Sequence, residues 1–432
     1  MSDGLDRKRL YPILLIIFTN ILGAGVILPI LPLYAEGTFG GTILQVTLLS
    51  TAYFAAQFIA APVLGRLSDR YGRRPVLIAS QMGTVVAFIL FIFASQLGQL
   101  VQTAIPALPI SGGMFMLYVA RIVDGITGGN ITTAQAYVSD ITDDQDRAQG
   151  LGYLQAAFGA GFIFGPAFGG ILANWGPVMP FIGAAIITAG TLILTTLTLE
   201  ESLPAAERSE GPVVPERVRL PLDTLTSQPA LLLVLGIGFF STLAFSSVPP
   251  TFALFADHVL FGDAFSPQRV QLFIGLMLAF NGSVAVLTQI VALKPLVSRV
   301  GERMTILVGN LALMAAFFSL SFTRSPILAT AILAPWAFGR GVSEPTLQAL
   351  VTRFGGEDTR GQLLGIYQSA RSLALIFGPV WAGYAFEQIS PSAVYVVAGF
   401  VMLVALLLIL LLIRQELPAM RPRHAEAAAS PD

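Results

Sequence analysis

Long apolar runs alternate with short polar turns along nearly the whole of this 432-residue chain. Twelve runs approach or exceed the ~20 residues that a helix needs to cross a bilayer. They fall at about 11–34, 42–66, 76–96, 113–136, 148–172 and 177–199, then at 229–254, 268–292, 305–322, 325–350, 362–386 and 391–413. Residues 200–228, rich in Glu, Pro and Arg, read as a polar linker between the two sets. The tail from Arg414 is polar and Ala-rich and reads as disordered beyond Leu417. The pattern predicts an all-α integral membrane protein of twelve transmembrane helices. One six-helix bundle spans 1–199, a cytoplasmic linker 200–228, a second bundle 229–413 and a cytoplasmic tail 414–432. The first run, Tyr11 to Tyr34, follows Arg7-Lys8-Arg9 and superficially resembles a signal peptide. It is too long for one and lacks a small-residue cleavage site, so it is expected to stay as the first helix.

An internal repeat divides the chain in the same place. Thr133-Ala134-Gln135-Ala136-Tyr137-Val138 matches Thr346-Leu347-Gln348-Ala349-Leu350-Val351 at an offset of 213. The same offset pairs Arg147 with Arg360, Gln155 with Gln368, and Ile163-Phe164-Gly165-Pro166 with Ile376-Phe377-Gly378-Pro379. Two parallel, pseudo-symmetric halves are the expected arrangement.

Composition narrows the class further. With 55% hydrophobic and 11% charged residues, the chain has too few charges to cover a soluble surface. A net charge of −1 gives no reason to expect nucleic-acid binding, and zero cysteines exclude disulfides and thiol chemistry. With only two histidines, His258 and His424, a histidine-based metal centre is not expected. No Gly-x-x-x-x-Gly-Lys-[Ser/Thr] loop is present, which argues against an ATP-driven pump. If both termini are cytoplasmic, nineteen of the 24 basic residues lie inside. Only Arg269 and Arg324 then lie outside, so inside termini are expected.

Between the second and third runs stands Gly65-Arg66-Leu67-Ser68-Asp69-Arg70-Tyr71-Gly72-Arg73-Arg74-Pro75-Val76-Leu77. This compact basic turn resembles the signature loop of the major facilitator superfamily, whose members are secondary transporters. The resemblance implies a gate made of Gly65, Asp69, Arg70, Gly72, Arg73, Arg74 and Asp140. Asp69 would hold the positive end of a helix from the other half, and Arg73 would pair with Asp140. The same positive charges would also serve simply to set topology. A degenerate echo follows the eighth run, with Arg299, Gly301 and Arg303 matching Arg70, Gly72 and Arg74.

Helix 5 carries Gly161, Gly165, Pro166, Gly169 and Gly170, a pattern similar to the helix-5 motif of the proton-coupled antiporters. There it shapes a bend and helps seal the pathway; ordinary close packing is the alternative. Helix 1 reads Asn20-Ile21-Leu22-Gly23-Ala24-Gly25 onward to Pro32 and resembles the drug/proton antiporter branch. The branch's frequent membrane acid falls on Asn20, which can bond a substrate but cannot carry a proton. Gly72-Arg73-Arg74-Pro75-Val76-Leu77 and Asp124-Gly125-Ile126-Thr127-Gly128 resemble the tetracycline exporters. Three polar groups that those exporters use fall on Asn20, Ala285 and Met314.

Charges inside the bilayer cost at least ~2.5–3.5 kcal/mol each on insertion scales, so they point to function. Arg121 and Asp124 are three apart, Arg340 and Glu344 four apart, and each pair shares a helix face. Arg371 adds a third cation, leaving one surplus positive charge that an anionic substrate would balance. Asp124, Arg121 and Glu344 are the candidates for proton coupling, and Arg121 with Gly125 matches the superfamily's helix-4 motif. Asn20, Gln135, Arg340, Glu344, Gln348 and Arg371 are the candidates for substrate binding. Structural ion pairs that fix helix register are the alternative. Residues Asn281, Gln289 and Asn310 are further expected polar lining.

Taken with the resemblance, these residues predict a proton-coupled antiporter that exports a small organic compound by alternating access. The alternative is a proton-coupled symporter importing organic anions, and a non-transporting scaffold is a third class. An enzyme is not expected, nor a metal or organic cofactor, since the proton gradient would supply the energy. The expected partners are a small-molecule substrate, protons and the lipid bilayer, with the protein working as a monomer in a bacterial inner membrane.

Overall fold

The computed structural model describes residues 7–128, 130–143, 146–208, 228–355 and 357–415. The greater part of the expected linker, 209–227, and of the tail, 416–432, lies outside the described residues. Among the described residues the fold is all-helical, with no strand. The first half contains α1 (Arg7–Phe39), α2 (Ile43–Tyr71), α3 (Arg73–Ile92), α4 (Ala94–Ala104), α5 (Gly112–Thr127), α6 (Asn130–Asp140), α7 (Arg147–Leu172) and α8 (Met179–Thr198). The second contains α9 (Pro229–Phe245), α10 (Val248–Phe255), α11 (Pro267–Leu287), α12 (Leu293–Phe322), α13 (Pro326–Val351), α14 (Glu357–Gln388) and α15 (Ala393–Ile413).

Among the described residues, eight helical segments are long and apolar enough to cross a membrane. One of them, 267–322, holds two passes, because Gly301 within it leaves helical geometry (φ 80, ψ 168) and turns the chain. Counting it twice and adding α5–α6, α13 and α14 gives twelve passes. Arg340, Glu344 and Arg371 lower the hydropathy of α13 and α14, and α5 and α6 are separated by residue 129, which lies outside the described residues. The surface supports the bilayer reading: α15 buries Val394, Ala398, Met402, Ala405 and Ile409 on one face. It leaves Phe400, Leu403, Leu407, Leu410 and Leu411 exposed on the other, an apolar face that only lipid would cover.

The 113–136 run is described in two parts, α5 and α6, and residue 129 between them lies outside the described residues. The 229–254 run divides before Pro249 and Pro250, which lack the N–H a helix needs. Hydroxyls donate to carbonyls at this break: Ser246 Oγ to Leu243 and Ala374, both at 3.0 Å, and Ser247 Oγ to Ala244 at 2.7 Å. Beyond α10 the chain continues as a π-helical turn, Ala256–Phe261.

The two halves meet along α2 with α14 and α7 with α11, while α10 packs on α1 and α2. Within the first half, α1 lies closely along α7. A Cβ at Gly165 would stand 2.6 Å from the Leu22 carbonyl and 2.8 Å from Gly25 Cα. A Cβ at Gly161 would meet the Phe18 carbonyl at 2.7 Å, and one at Gly169 that of Val26 at 3.1 Å. Gly170 faces the other half, where a Cβ would stand 2.8 Å from the Gln271 carbonyl. The helix-5 stripe is therefore a packing surface for α1, and its last glycine admits α11. Without water to drive association, such backbone proximity is what holds membrane helices together.

Gly165→Val places two methyls against rigid backbone and is expected to destabilise the purified protein by about 1–3 kcal/mol or more. Gly152→Ala, on the same helix with nothing within 4 Å, should be neutral or gain up to about 1 kcal/mol. Thermal unfolding of both variants in detergent checks the contrast; equal effects would mean the stripe does not set the packing.

Candidate functional site

The basic turn folds onto its own half. Gly72 takes a left-handed φ of 105 and turns α2 directly into α3. Gly301 does the same at φ 80, so the degenerate echo keeps the backbone of the original. Arg73 bonds Asp140 (Nε to Oδ2, 3.1 Å) and Ser68 Oγ (3.0 Å), and its Nη1 also donates to Asp69. Asp69 thus closes on Arg73 instead of reaching a helix of the other half. Arg74 donates to the Thr196 carbonyl at 2.7 Å, whereas Arg70 turns outward beside the Tyr71 ring. Gly65 has open space around it.

Sequence reasoning missed Glu201. Its carboxylate accepts the backbone N–H groups of Arg73 (2.8 Å) and Arg74 (3.2 Å), an anion seated at the N-terminus of α3. It also accepts from the N–H groups of Ser202 and Leu203, both at 3.1 Å. Ser202 Oγ donates to Asp140 at 2.9 Å, so the start of the linker is tied into the turn. The only sequence signal was position, as an acid immediately after an apolar run. The second half repeats the arrangement with signs reversed: Glu302, beside Gly301, pairs with Arg353 at 2.7 Å. Arg353 stands 213 residues after Asp140, and Glu302 follows Gly301 as Arg73 follows Gly72.

Arg121 and Asp124 form a buried pair at 3.0 Å on α5. The guanidinium lies 4.1 Å from the centroid of the Tyr53 ring, and its Nε points to the Leu49 carbonyl at 3.5 Å. Tyr53 and Leu49 both belong to α2, so this pair is built directly against an interface helix. Gln57 of α2 donates to the Gly128 carbonyl at 3.0 Å, extending the same seam.

In the second half the expected Arg340–Glu344 pair is replaced. Glu344 binds Arg371 of α14 at 2.9 Å and accepts from Gln348 at 2.9 Å. Arg371 also donates to Gln368 at 2.6 Å and approaches Thr242 Oγ1 at 3.4 Å. Arg340 instead covers the Phe245 ring, 3.3 Å from its centroid. A shared helix face placed Arg340 and Glu344 near each other, but a better-aimed guanidinium from the neighbouring helix takes the carboxylate. A small cavity of about 10 Å³, enough for one water, lies between Ser241, Arg340 and Glu344. This group carries two cations and one anion, which gives the surplus positive charge a location.

Asn20 has both side-chain polar atoms buried without a hydrogen-bond partner in the structure. Gln135 is half-buried on α6, and its carbonyl accepts from Ser139 Oγ at 2.9 Å. Asn281 and Asn310, expected as polar lining, are engaged in bonds between helices. Both are buried and bonded, Asn281 to the Leu333 carbonyl (3.2 Å) and Asn310 to Ser241 and Ser343 (2.8 and 3.3 Å). They tie helices together, while Gln289 is exposed.

Polar contacts join the two halves at the end opposite the basic turn. There Glu387 of α14 accepts the Leu44 N–H at 2.8 Å, and His258 meets Glu36 at 3.1 Å. At the basic-turn end, Gly65 on α2 and Gly365 on α14 face open space, and the Asp69 side chain is 51% exposed.

Comparison with known proteins agrees with this architecture. The family model described as Major Facilitator Superfamily matches residues 13–266 and 265–431. The class C tetracycline resistance protein of Escherichia coli is 32% identical over 380 residues, 87% of this chain and 89% of that protein. Multidrug resistance protein 2 of Bacillus subtilis (strain 168) is 29% identical over 412 residues, 93% of this chain and 94% of that one. Among solved structures, a bacterial homologue of the human lysosomal transporter Spinster, inward-facing and occupied, superposes with a TM-score of 0.72. It shares 15% identity and covers 96% of this chain and 98% of its own. The human organic anion transporter MFSD10 (TETRAN) superposes at 0.65 with 22% identity, covering 93% and 99%. With its twelve passes, its twin glycine turns and these relatives, the chain belongs to the major facilitator superfamily and is a multi-pass membrane transporter, not an enzyme.

Proposed function

We propose that the protein is a proton-coupled antiporter that exports a small organic compound by alternating access, acting as a monomer in a bacterial inner membrane. The observation that carries this reading is the Arg121–Asp124 pair, buried and braced against α2. Neutralising Asp124 with a proton would leave Arg121 without its counter-charge in a dry interior, where an unpaired charge is costly. Its remaining partners, the Tyr53 ring and the Leu49 carbonyl, are on α2. The same helix donates from Thr51 Oγ1 to the Ile376 carbonyl of α14 at 3.0 Å. Protonation at Asp124 would thereby act on the seam between the halves.

With both termini in the cytoplasm, the basic turn would face inward, and the open space beside Gly65 and Gly365 supports a state in which that end is not sealed. Closing that end would move Asp69 from Arg73 toward the other half, with Glu201 and Asp140 holding the rest of the turn in place. The relatives named for tetracycline and multidrug resistance support export of a drug-like compound. Ala285 and Met314 cannot ionise, so recognition falls to this chain's own groups: Arg340, Arg371, Glu344 with Gln348, the unpartnered amide of Asn20, and Gln135.

The excess of Arg340 and Arg371 over Glu344 favours a second reading, symport of organic anions. Direction of proton flow separates the two: antiport moves protons against substrate, symport with it.

Asp124→Asn should abolish proton-coupled transport in proteoliposomes while the variant still binds substrate. Unchanged coupling would remove Asp124 from the mechanism. Arg371→Ala should weaken anionic or zwitterionic ligands by about tenfold, ~1.4 kcal/mol, and cationic ones far less. An equal loss across charge classes would make Arg371 a purely structural partner of Glu344.

A further inference from the structure

Three metal-ligating groups converge at the closed end, and the proposed cycle uses none of them as ligands. Gly40, left-handed at φ 63, ends α1 and returns its N–H to the Glu36 carbonyl at 3.0 Å. Glu36 therefore sits on the last turn of α1, at the mouth of the interface. From the other half, the break at Pro249–Pro250 directs α10 against α1, and the π-helical turn that follows carries Asp257 and His258. Successive side chains diverge less in a widened turn than in an α-helix, so both neighbours can face α1. His258 Nε2 lies 3.1 and 3.2 Å from the two Glu36 oxygens and 3.9 Å from Asp257 Oδ2. The ligand atoms of all three residues fall within 4.8 Å of one another. Phe386 of α14 meets the imidazole edge-on at 6.0 Å, which fixes the ring plane.

We propose that Glu36, Asp257 and His258 bind a divalent transition-metal ion of the zinc class, bridging the two halves. Zinc takes imidazole and carboxylate ligands at ~2.0–2.2 Å, and tetrahedral geometry then spaces ligand atoms by about 3.3–3.6 Å. The observed spacings straddle that range, so small side-chain movements complete the site. Two carboxylates and a neutral imidazole supply a charge of −2 against the ion's +2, and a water fills the fourth position. Magnesium, which prefers an octahedral oxygen shell, fits this set poorly. Side-chain exposures of 28% for Glu36, 34% for Asp257 and 36% for His258 leave the ion a way in. A bound ion would clamp α1 to the turn following α10. On the alternating-access reading, on which this consequence alone rests, it would hold that end shut and slow transport.

The test is calorimetric titration of the full-length protein with zinc chloride, purified without a histidine tag. We expect one zinc per chain, with affinity at least about tenfold weaker in Glu36→Gln and in His258→Ala. His424→Ala, which removes the chain's other histidine, should bind as wild type, and magnesium chloride should not compete. Glu36→His, which destroys the His258–Glu36 ion pair but restores a ligand, should keep zinc binding. No zinc binding, or binding that survives both Glu36→Gln and His258→Ala in monodisperse protein, overturns the site. Zinc bound with the expected pattern but without effect on transport upholds the site and counts against the alternating-access reading.

Discussion

A charge carried into a bilayer must find its partner inside the protein, because no water is there to replace one. That constraint organises this molecule. Five charges lie deep in the spans, and each is held by a named neighbour: Arg121 by Asp124 and the Tyr53 ring, Glu344 by Arg371 and Gln348, Arg340 by the Phe245 ring. The first group is neutral and the second is not. The division gives each half a separate task under the proposed function, proton handling in one and recognition of the cargo's charge in the other.

The partners also lie on the helices that would have to move. Arg121 rests on α2 and Arg371 belongs to α14, and these two helices pack against each other across the interface. Small residues keep the other seam close, where Gly170 and Gly275 let α7 and α11 touch nearly backbone to backbone. Such seams are held by packing and a few hydrogen bonds, not by burial from water, so modest changes in charge can rebalance them. At the basic-turn end each half carries its own charged clasp, Arg73–Asp140 in the first and Glu302–Arg353 in the second.

Much of the fold was legible in the sequence because the membrane imposes length and apolarity on every pass. Gly72 and Gly301 announced the same turn twice, since only glycine takes that backbone without strain. The reach of Arg73 to Asp140 was legible from the motif alone. What the sequence hid were choices made by tertiary contact. Helical spacing places Arg340 and Glu344 on one face, but it cannot reveal that Arg371 arrives from another helix with better aim. Glu201 caps α3 across 128 residues of chain, and Glu36 meets His258 across 222, separations that no local pattern encodes. Asn281 and Asn310 looked like pathway lining because polar residues in a span invite that reading. Their bonds to Leu333, Ser241 and Ser343 show that a polar group can equally serve as a tie between helices.

The central claim is that proton occupancy at Asp124 moves the two halves relative to each other. The chain contains no cysteine, so Gly65→Cys with Gly365→Cys gives a clean pair of spin labels on opposite halves at the basic-turn end. Pulsed dipolar spectroscopy of this pair in lipid should show a distance distribution that redistributes with pH. In the Asp124→Asn background it should become a single pH-independent distribution. A wild-type distribution indifferent to pH, or an Asp124→Asn variant that redistributes as the wild type does, would contradict the account.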